Sequence, residues 1–497
     1  MQKCGLKKEH AMANKEARFE FPQSDRLESQ IEGYLADNWE KVLSDMERLI
    51  AVPSFEELEK AAPGAPYGPG PRESLSVALD IAQGYGFEAH DVDGYIGYAD
   101  ANGRSGQQLG IIGHTDVVPA GPGWHFEPYA LTRKDGYLLG RGISDDKAPI
   151  LLALHAAKFW MDEAARQGAM LPHDIRILFG ASEETTMSDV AYYRQRFNDP
   201  TFLFTPDADF PLGYGESGCC VGVLKSAPIE DGFIVEIAGG TAANAVPGLA
   251  HAVVRLPEGA AAPVSSDPRI AVSPAGDGLV KIEVHGKSAH ASTPELGESA
   301  IAILVGFLLE NDLGNDEERT FLKLECDLLS VTDGSGVGIQ AADEHFGPLT
   351  AVGGVIGMEG NRITQTLDCR YPTTTTADAI TQQMTKVAAQ FGAEYVAKQD
   401  KVPFLMNPES PAVSALMTAY NDVTGQDAKP FVMKGGTYAR LFSHAVSFGP
   451  QFPDEVKPAW VGGMHGPDEG VSEEGMKRAF RVYVRAIGNL LALESLA

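Results

Sequence analysis

Between residues 87 and 211, apolar runs that end on ionisable residues alternate with segments of helical spacing, and this alternation narrows the possible folds. LGII (109–112) runs into His114, a spacer and Asp116, then breaks into GHTDVVPAGPGWHFEP (113–128). HDIRILFGASEE (173–184) ends on Glu183 and Glu184, and FLFTPDADFP (202–211) carries Asp207 just past its apolar core. KAPILLALHAAKFWMDEAARQGA (147–169) and DVAYYRQRF (189–197) lie between them with helical periodicity. Strands alternating with helices predict an α/β domain with a mixed, largely parallel sheet flanked by helices. Ligands of such sheets sit outside the carboxyl ends of the strands. His114, Glu183, Glu184 and Asp207 all fall there.

The flanks complete this domain. Residues 25–50 and 74–85 have helical spacing, and a strand pair falls near 87–100. Residues 52–73 are rich in Pro and Gly and predict a long loop. After about residue 215 the texture changes. FIVEIAGG, AHAVVRL, LVKIEVHG and LTAVGGVIGMEGNRITQTLDCRYP accompany the helical segments ESAIAILVGFLLEN and TADAITQQMTKVAAQFG. Antiparallel strands with helices on one face, an inserted α+β lid domain, fit this stretch. The expected boundaries are 25–215 and 403–497 for the catalytic domain and 216–402 for the insertion.

Composition bounds the function. The 497 residues carry a formal net charge of -28, with 44% hydrophobic and 22% charged residues. That is ordinary globular composition, and its sign opposes binding to nucleic acid or an anionic membrane. No run reaches the ~18 apolar residues of a membrane span. The N-terminus lacks the apolar region of a secretory signal, and its first ~20 residues are expected to fray. Five cysteines, Cys4, Cys219, Cys220, Cys326 and Cys369, show no CxxC spacing. A reducing, cytoplasmic compartment is the simple reading. Cys219 and Cys220 are read as free buried thiols, with a vicinal redox pair as the alternative.

Taken singly, each ionisable group has an ordinary explanation. Asp145 and Asp146, in GRGISDDKAP, suit a helix cap. Glu183 and Glu184 suit a solvated loop edge. Asp207 and Asp209 suit a turn. His465, in GGMHGPDEG, is a histidine in a Gly-rich loop. Taken together, His and carboxylates from separate strand ends make a mixed N/O donor set without Cys, which suits Zn2+, Mn2+ or Co2+.

The ordered set GHTDVVPAG, GRGISDDK, ASEE, FTPDADFP, GKSAHAST, LDCRYP, KGGTYARLF and GGMHGPDE resembles the dinuclear-zinc aminopeptidase/aminoacylase superfamily of metallopeptidases. Within it, the chain is most similar to monomeric bacterial dipeptidases of the dipeptidase V (Xaa-His, carnosinase-like) type, from about residue 25 to the C-terminus. The resemblance implies two divalent metal ions, Zn2+ first, with Mn2+ or Co2+ as alternatives. It implies that His114 and Asp207 bind one ion, Glu184 and His465 the other, and Asp145 both, with a cis Asp145–Asp146 peptide. Asp116 would orient the His114 imidazole. Glu183 would be the general base, taking a proton from a metal-bridged water and passing it to the leaving amine. His290 would polarise the scissile carbonyl. An exposed loop histidine is the plainer reading of that residue. Arg370 and Asn244, with the Gly435-Gly436-Thr437 backbone, would bind the substrate's C-terminal carboxylate. A turn-capping role is equally open to Asn244.

The function implied is a metal-dependent dipeptidase, a cytoplasmic monomer acting on small peptides with a free C-terminal carboxylate. An N-acyl-amino-acid deacylase or desuccinylase using the same site is the alternative. A catalytically dead binding protein, the third possibility, is disfavoured because every expected ligand and Glu183 are present. The side-chain preferences, the native metal, the physiological substrate, and the roles of the N-terminal extension and the 52–73 loop are not legible at this level.

Overall fold

The structure, a computed structural model, describes residues 17–276 and 278–497. Cys4 and most of the N-terminal extension lie outside the described residues. The chain forms two compact units. One holds the chain up to Tyr214, Met406–Phe431 and Thr437 onward, and the other holds Gly215–Leu405 and Val432–Gly436. The short return of 432–436 to the second unit is secured there by Ser217 N–H donating to the Met433 carbonyl at 2.9 Å.

The first unit is built on β1 (Glu88–Val92), β2 (Ile96–Ala101), β3 (Gln108–His114), β4 (Asp174–Gly180), β5 (Phe202–Thr205) and the strand Ala445–Ser447. Their spatial order is β1-β2-β4-β3-β5, then 445–447. β3 pairs parallel with β4 and β5, and 445–447 pairs parallel with β5, whereas β1 and β2 pair antiparallel. Ile111 stands opposite both Ile177 and Phe204, and His114 stands opposite Gly180. β3, β4 and β5 therefore end at one edge. β3 is buried from Leu109 to His114, as a strand covered on both faces must be.

Helices α1 (Ser24–Ile50), α2 (Pro69–Gly84), α3 (Lys147–Gln167) and α4 (Ser188–Arg194) flank this sheet. α2 starts five residues ahead of the expected boundary, inside the segment predicted as loop. Pro69 opens it and Pro71 follows. The first turn has no use for the missing N–H groups, and proline presets the helical φ. α3 is buried along most of its length against α1, β3 and the helix Glu473–Leu491. Trp160 of α3 donates its indole N–H to the Val484 carbonyl at 2.8 Å. A Cβ at Gly488 would lie 2.2 Å from that ring, so glycine is needed there. His155, also on α3, is fully buried between Asp45 (3.1 Å) and Tyr34 (3.0 Å) of α1.

The second unit carries β6 (Gly218–Lys225), β7 (Ile234–Gly239), β8 (Leu249–Arg255), β9 (Ile270–Gly276), β10 (Leu279–His285), β11 (Ile356–Glu359), β12 (Arg362–Tyr371) and β13 (Glu394–Lys401). They run in the order β9-β10-β8-β7-β11-β12-β6-β13, every pair antiparallel. α5 (Ala300–Glu310) packs on β8 and β10, and α7 (Ala377–Gln390) on β6 and β13. A further helix, α6 (Asp316–Leu329), escapes the apolar-periodicity reading. Its sequence signal is a capping box, Asn315 with Glu318.

α6 also buries Glu325 completely, with both carboxylate oxygens lacking a hydrogen-bond partner. Burial pushes its carboxyl up to about 8. The folded value lies above the ordinary one, so over that interval the unfolded chain sheds a proton that the folded chain keeps. Its contribution to stability is full on the acid side and falls toward pH 8, by up to about 1.4 kcal/mol per pH unit. E325Q should remove this slope. Denaturant melts should show the variant gaining on wild type between about pH 5 and pH 8, and parallel curves would refute the assignment.

Candidate active site

The parallel register decides which side chains meet. His114 closes β3, Glu183 and Glu184 follow β4, Asp207 follows β5, and Asp145 sits just ahead of α3. His114 Nε2 lies 2.8 Å from Asp145 Oδ1 and 3.9 Å from Asp207 Oδ2. His465 arrives from a late loop at φ 63°. Its Nε2 lies 2.9 Å from Asp145 Oδ2 and 3.0 Å from Glu184 Oε2. Asp145 thus turns one oxygen to each imidazole. The ligand atoms of His114, Asp145 and Glu184 lie within 4.8 Å of one another, as do those of His114, Glu183 and Asp207.

The pair distances of 2.8 Å and 3.9 Å at His114, and of 2.9 Å and 3.0 Å at His465, suit cations. Two atoms bonded to one ion at about 2.0–2.2 Å are at most about 4.4 Å apart. The donors are imidazole nitrogen and carboxylate oxygen, as expected for Zn2+, Mn2+ or Co2+. Glu183 approaches His114 and Asp207 as Glu184 approaches His114 and Asp145. Proximity alone therefore does not separate ligand from base.

Backbone and buried side chains hold the cluster in place. His114 Nδ1 donates to the main-chain carbonyl of Asp116 at 2.9 Å, which leaves Nε2 as the ligand atom. The Asp116 carboxylate lies farther off, at 3.5 Å from Nδ1. It also accepts from the amides of Glu183 (3.2 Å) and Glu184 (3.1 Å). The Asp116 carbonyl and carboxylate thus both face the His114 imidazole, the carbonyl at hydrogen-bond distance. The same carboxylate aligns the two glutamates. Asp146, read from sequence only as a helix cap, accepts from His114 N–H at 3.1 Å. Gly113 permits this approach, since a Cβ there would lie 2.2 Å from Asp146 Oδ2. The Asp145–Asp146 peptide is cis.

Three further contacts, absent from the sequence reading, brace the surrounding loops. Arg141 and Glu469 form a fully buried pair at 2.6 Å. Glu469 Oε1 also accepts from Gly142 N–H (3.2 Å) and Ser144 N–H (2.8 Å), tying the Asp145 loop to the His465 loop. Lys147, also buried, donates to the carbonyls of Leu49 (3.0 Å) and Val52 (2.7 Å). Ser54, from the Pro- and Gly-rich loop, donates its hydroxyl to the Thr115 carbonyl at 2.6 Å. That loop is therefore a brace for the turn after β3. Glu469 and Arg141 were within reach of the sequence, since both lie in quoted motifs.

Charge is crowded here. Burial alone would raise the Asp145 carboxyl, but the His114 and His465 imidazoles outweigh it and hold it well below the carboxylate range. Burial pushes Glu183 up to about 8, opposed by His114 and reinforced by Glu184. Burial, then Asp145 and Asp146, raise Asp207 well above its ordinary value. Hydrogen bonds to Asp145 and Glu184 lift His465 to about 10.

The second unit gathers a different set. Ala245 pairs with His290, and Ala291 N–H donates to the Asn244 carbonyl at 2.9 Å, so Asn244 and His290 are neighbours. Ser292 N–H donates to His290 Nδ1 at 3.2 Å. Nδ1 is thus the acceptor, and the neutral ring carries its proton on Nε2. Burial and then the Arg370 charge hold His290 below its ordinary value. Arg370 is gripped by Asp368 through Nε (2.7 Å) and Nη2 (3.0 Å), and its Nη1 donates to the Lys434 carbonyl at 3.2 Å. Five N–H groups on the guanidinium leave donors over. Gly435 and Gly436 belong to this unit and Thr437 to the first, where its hydroxyl accepts from Ala439 N–H at 3.1 Å.

Comparison with known proteins agrees with this geometry. Residues 110–489 match the family described as Peptidase family M20/M25/M40. Over 467 residues the chain is 29% identical to a Staphylococcus haemolyticus protein named "Putative dipeptidase", covering 90% of this chain and 97% of that one. Human carnosine dipeptidase 1 shares the fold at TM-score 0.58 and 15% identity, over 95% of this chain and 100% of that one. Aminoacylhistidine dipeptidase from Vibrio alginolyticus does so at TM-score 0.56 and 13% identity, over 92% and 97%. With a cation-ready cluster at the carboxyl edge of its sheet, and a match over most of its length, the chain belongs to peptidase family M20/M25/M40 and is a hydrolase of peptide bonds.

Proposed function

We propose that the protein is a dipeptidase that uses two divalent metal ions, Zn2+ first, to hydrolyse small peptides with a free C-terminal carboxylate. The observation that carries this reading is Asp145, which turns one carboxylate oxygen toward His114 and the other toward His465. A carboxylate so placed suits a bridge between two ions. His114 and Asp207 would complete one site, and Glu184 and His465 the other. When bound, the ions would supply Lewis-acid polarisation and make water nucleophilic near neutral pH.

Glu184 already meets His465, which favours it as ligand and leaves Glu183 as general base. Glu183 would take the proton of the attacking water and deliver it to the leaving amine. His290, with its proton on Nε2, has the donor needed for an oxyanion. Arg370, held by Asp368 with N–H groups to spare, together with Asn244 and the 435–437 backbone, suits a substrate carboxylate. The aligned domain reading, a catalytic domain interrupted by a lid, belongs to the same proposal. The family's peptidase class and the dipeptidase names of the relatives support the substrate class.

We further infer a cytoplasmic monomer. Cys219, Cys220, Cys369 and Cys326 are all free, as in a reducing compartment. No helix among the described residues is long and apolar enough to cross a membrane. The outer strands of the second unit's sheet resist pairing with another chain. β9 carries Pro274, and β13 exposes Lys398, Gln399 and Asp400.

Dipeptides, β-Ala-His and N-acetyl and N-succinyl amino acids, assayed with chelator and then with Zn2+ or Mn2+ restored, test the reading. Dipeptide cleavage should require the metal, and E183Q should lower kcat by about 100-fold or more while metal uptake persists. Cleavage of the acylated compounds alone would make the protein a deacylase. H290A should cost about 100-fold in kcat, whereas R370K should act mainly by raising KM, because lysine cannot reproduce the fork. Light scattering after size exclusion should return the mass of one chain, and a stable dimer would refute the monomer.

A further inference from the structure

The turn bearing Glu183 and Glu184 hangs from two buried carboxylates, only one of which belongs to the set read from sequence. Asp116 takes the amides of Glu183 and Glu184. Asp189, in the first turn of α4, takes the two preceding ones, Ala181 at 2.8 Å and Ser182 at 3.2 Å, both on Oδ2. Its Oδ1 accepts from Val190 N–H at 2.8 Å. Four successive amides, 181 to 184, are thus divided in pairs between Asp189 and Asp116.

Asp189 is fully buried, and its Oδ2 also accepts the hydroxyl of Tyr438. Tyr438 is itself fully buried and edge-on to the His114 ring, with centroids 6.4 Å apart. The phenol is the donor, since an ionised carboxylate only accepts. It occupies the space above the last residue of β4. A Cβ at Gly180 would lie 2.0 Å from the hydroxyl oxygen, so that strand must end on glycine for tyrosine to reach Asp189.

We propose that Asp189 and Tyr438 are positioning residues for the reaction. They set the backbone of 181–182, and through it aim the Glu183 and Glu184 carboxylates that follow into the donor cluster. This rests on the chemical roles proposed above for those two glutamates. Neither positioning residue touches substrate or metal. Tyr438 acts only through Asp189, whose carboxylate it keeps from rotating off the Ala181 and Ser182 amides.

The test uses the full chain as Y438F, D189N and the double variant. Metal-free protein is titrated with Zn2+ against a competing chelator, and kcat and KM are measured for an Ala-containing dipeptide at saturating Zn2+. Y438F should weaken Zn2+ affinity about tenfold and lower kcat about tenfold with KM within about twofold of wild type, the size seen when groups behind metal ligands are removed. D189N should do more, and the double variant no more than D189N, because the tyrosine works through the aspartate. Folded Y438F with wild-type Zn2+ affinity and kcat would overturn the proposal, and this holds even if D189N fails to fold. The Zn2+ arm needs no substrate. A wild-type protein inactive on every dipeptide, with weakened Zn2+ binding in Y438F, would sink the dipeptidase reading and leave the positioning role standing.

Discussion

Buried negative charge is the constraint from which the rest of the first unit follows. Asp116, Asp145, Asp146, Glu183, Glu184 and Asp207 stand close together, with the imidazoles of His114 and His465 among them. Carboxylates withdrawn from water are costly unless hydrogen bonds or opposite charges compensate them. Backbone amides answer part of the cost: those of Glu183 and Glu184 at Asp116, and that of His114 at Asp146. The imidazoles answer another part at Asp145. Burial still holds the carboxyls of Glu183 and Asp207 above their ordinary range.

Holding such a cluster requires loops that cannot relax. The buried Arg141–Glu469 pair does this between the Asp145 and His465 loops. Losing one partner of a buried pair costs about 3–5 kcal/mol, because the other is left uncompensated. Lys147 and Ser54 extend the bracing to the end of α1 and the turn after β3. The loop of 53–68, irregular in sequence, is therefore part of the scaffold.

In the second unit the polar residues are arranged for donation. Ser292 fixes the His290 tautomer, and Asp368 fixes the plane of the Arg370 guanidinium. Each group is oriented by a neighbour two residues away along the chain: Asp368 and Arg370 share one face of β12, and Ser292 lies in the turn just after His290. Oriented donors of this kind meet a carbonyl or a carboxylate with little further loss of rotamer freedom.

The sequence by itself determined the parallel core and the donors. Apolar runs ending on His114, Glu183–Glu184 and Asp207 carry both signals within a few residues, since a buried strand must be apolar and its end must be polar. The motif order brought in Asp145 and His465, and glycine or capping patterns could have added α6. Other features depend on residues far apart in sequence. The Asp116 carboxylate reached the amides of Glu183 and Glu184, 67 and 68 positions away. Asp189 reached Tyr438, 249 positions away, and Arg141 reached Glu469, 328 positions away. Nothing local distinguishes a surface aspartate from one that holds two amides in the core. Only tertiary structure decides that, because burial raises the worth of a hydrogen bond and is a property of the whole fold.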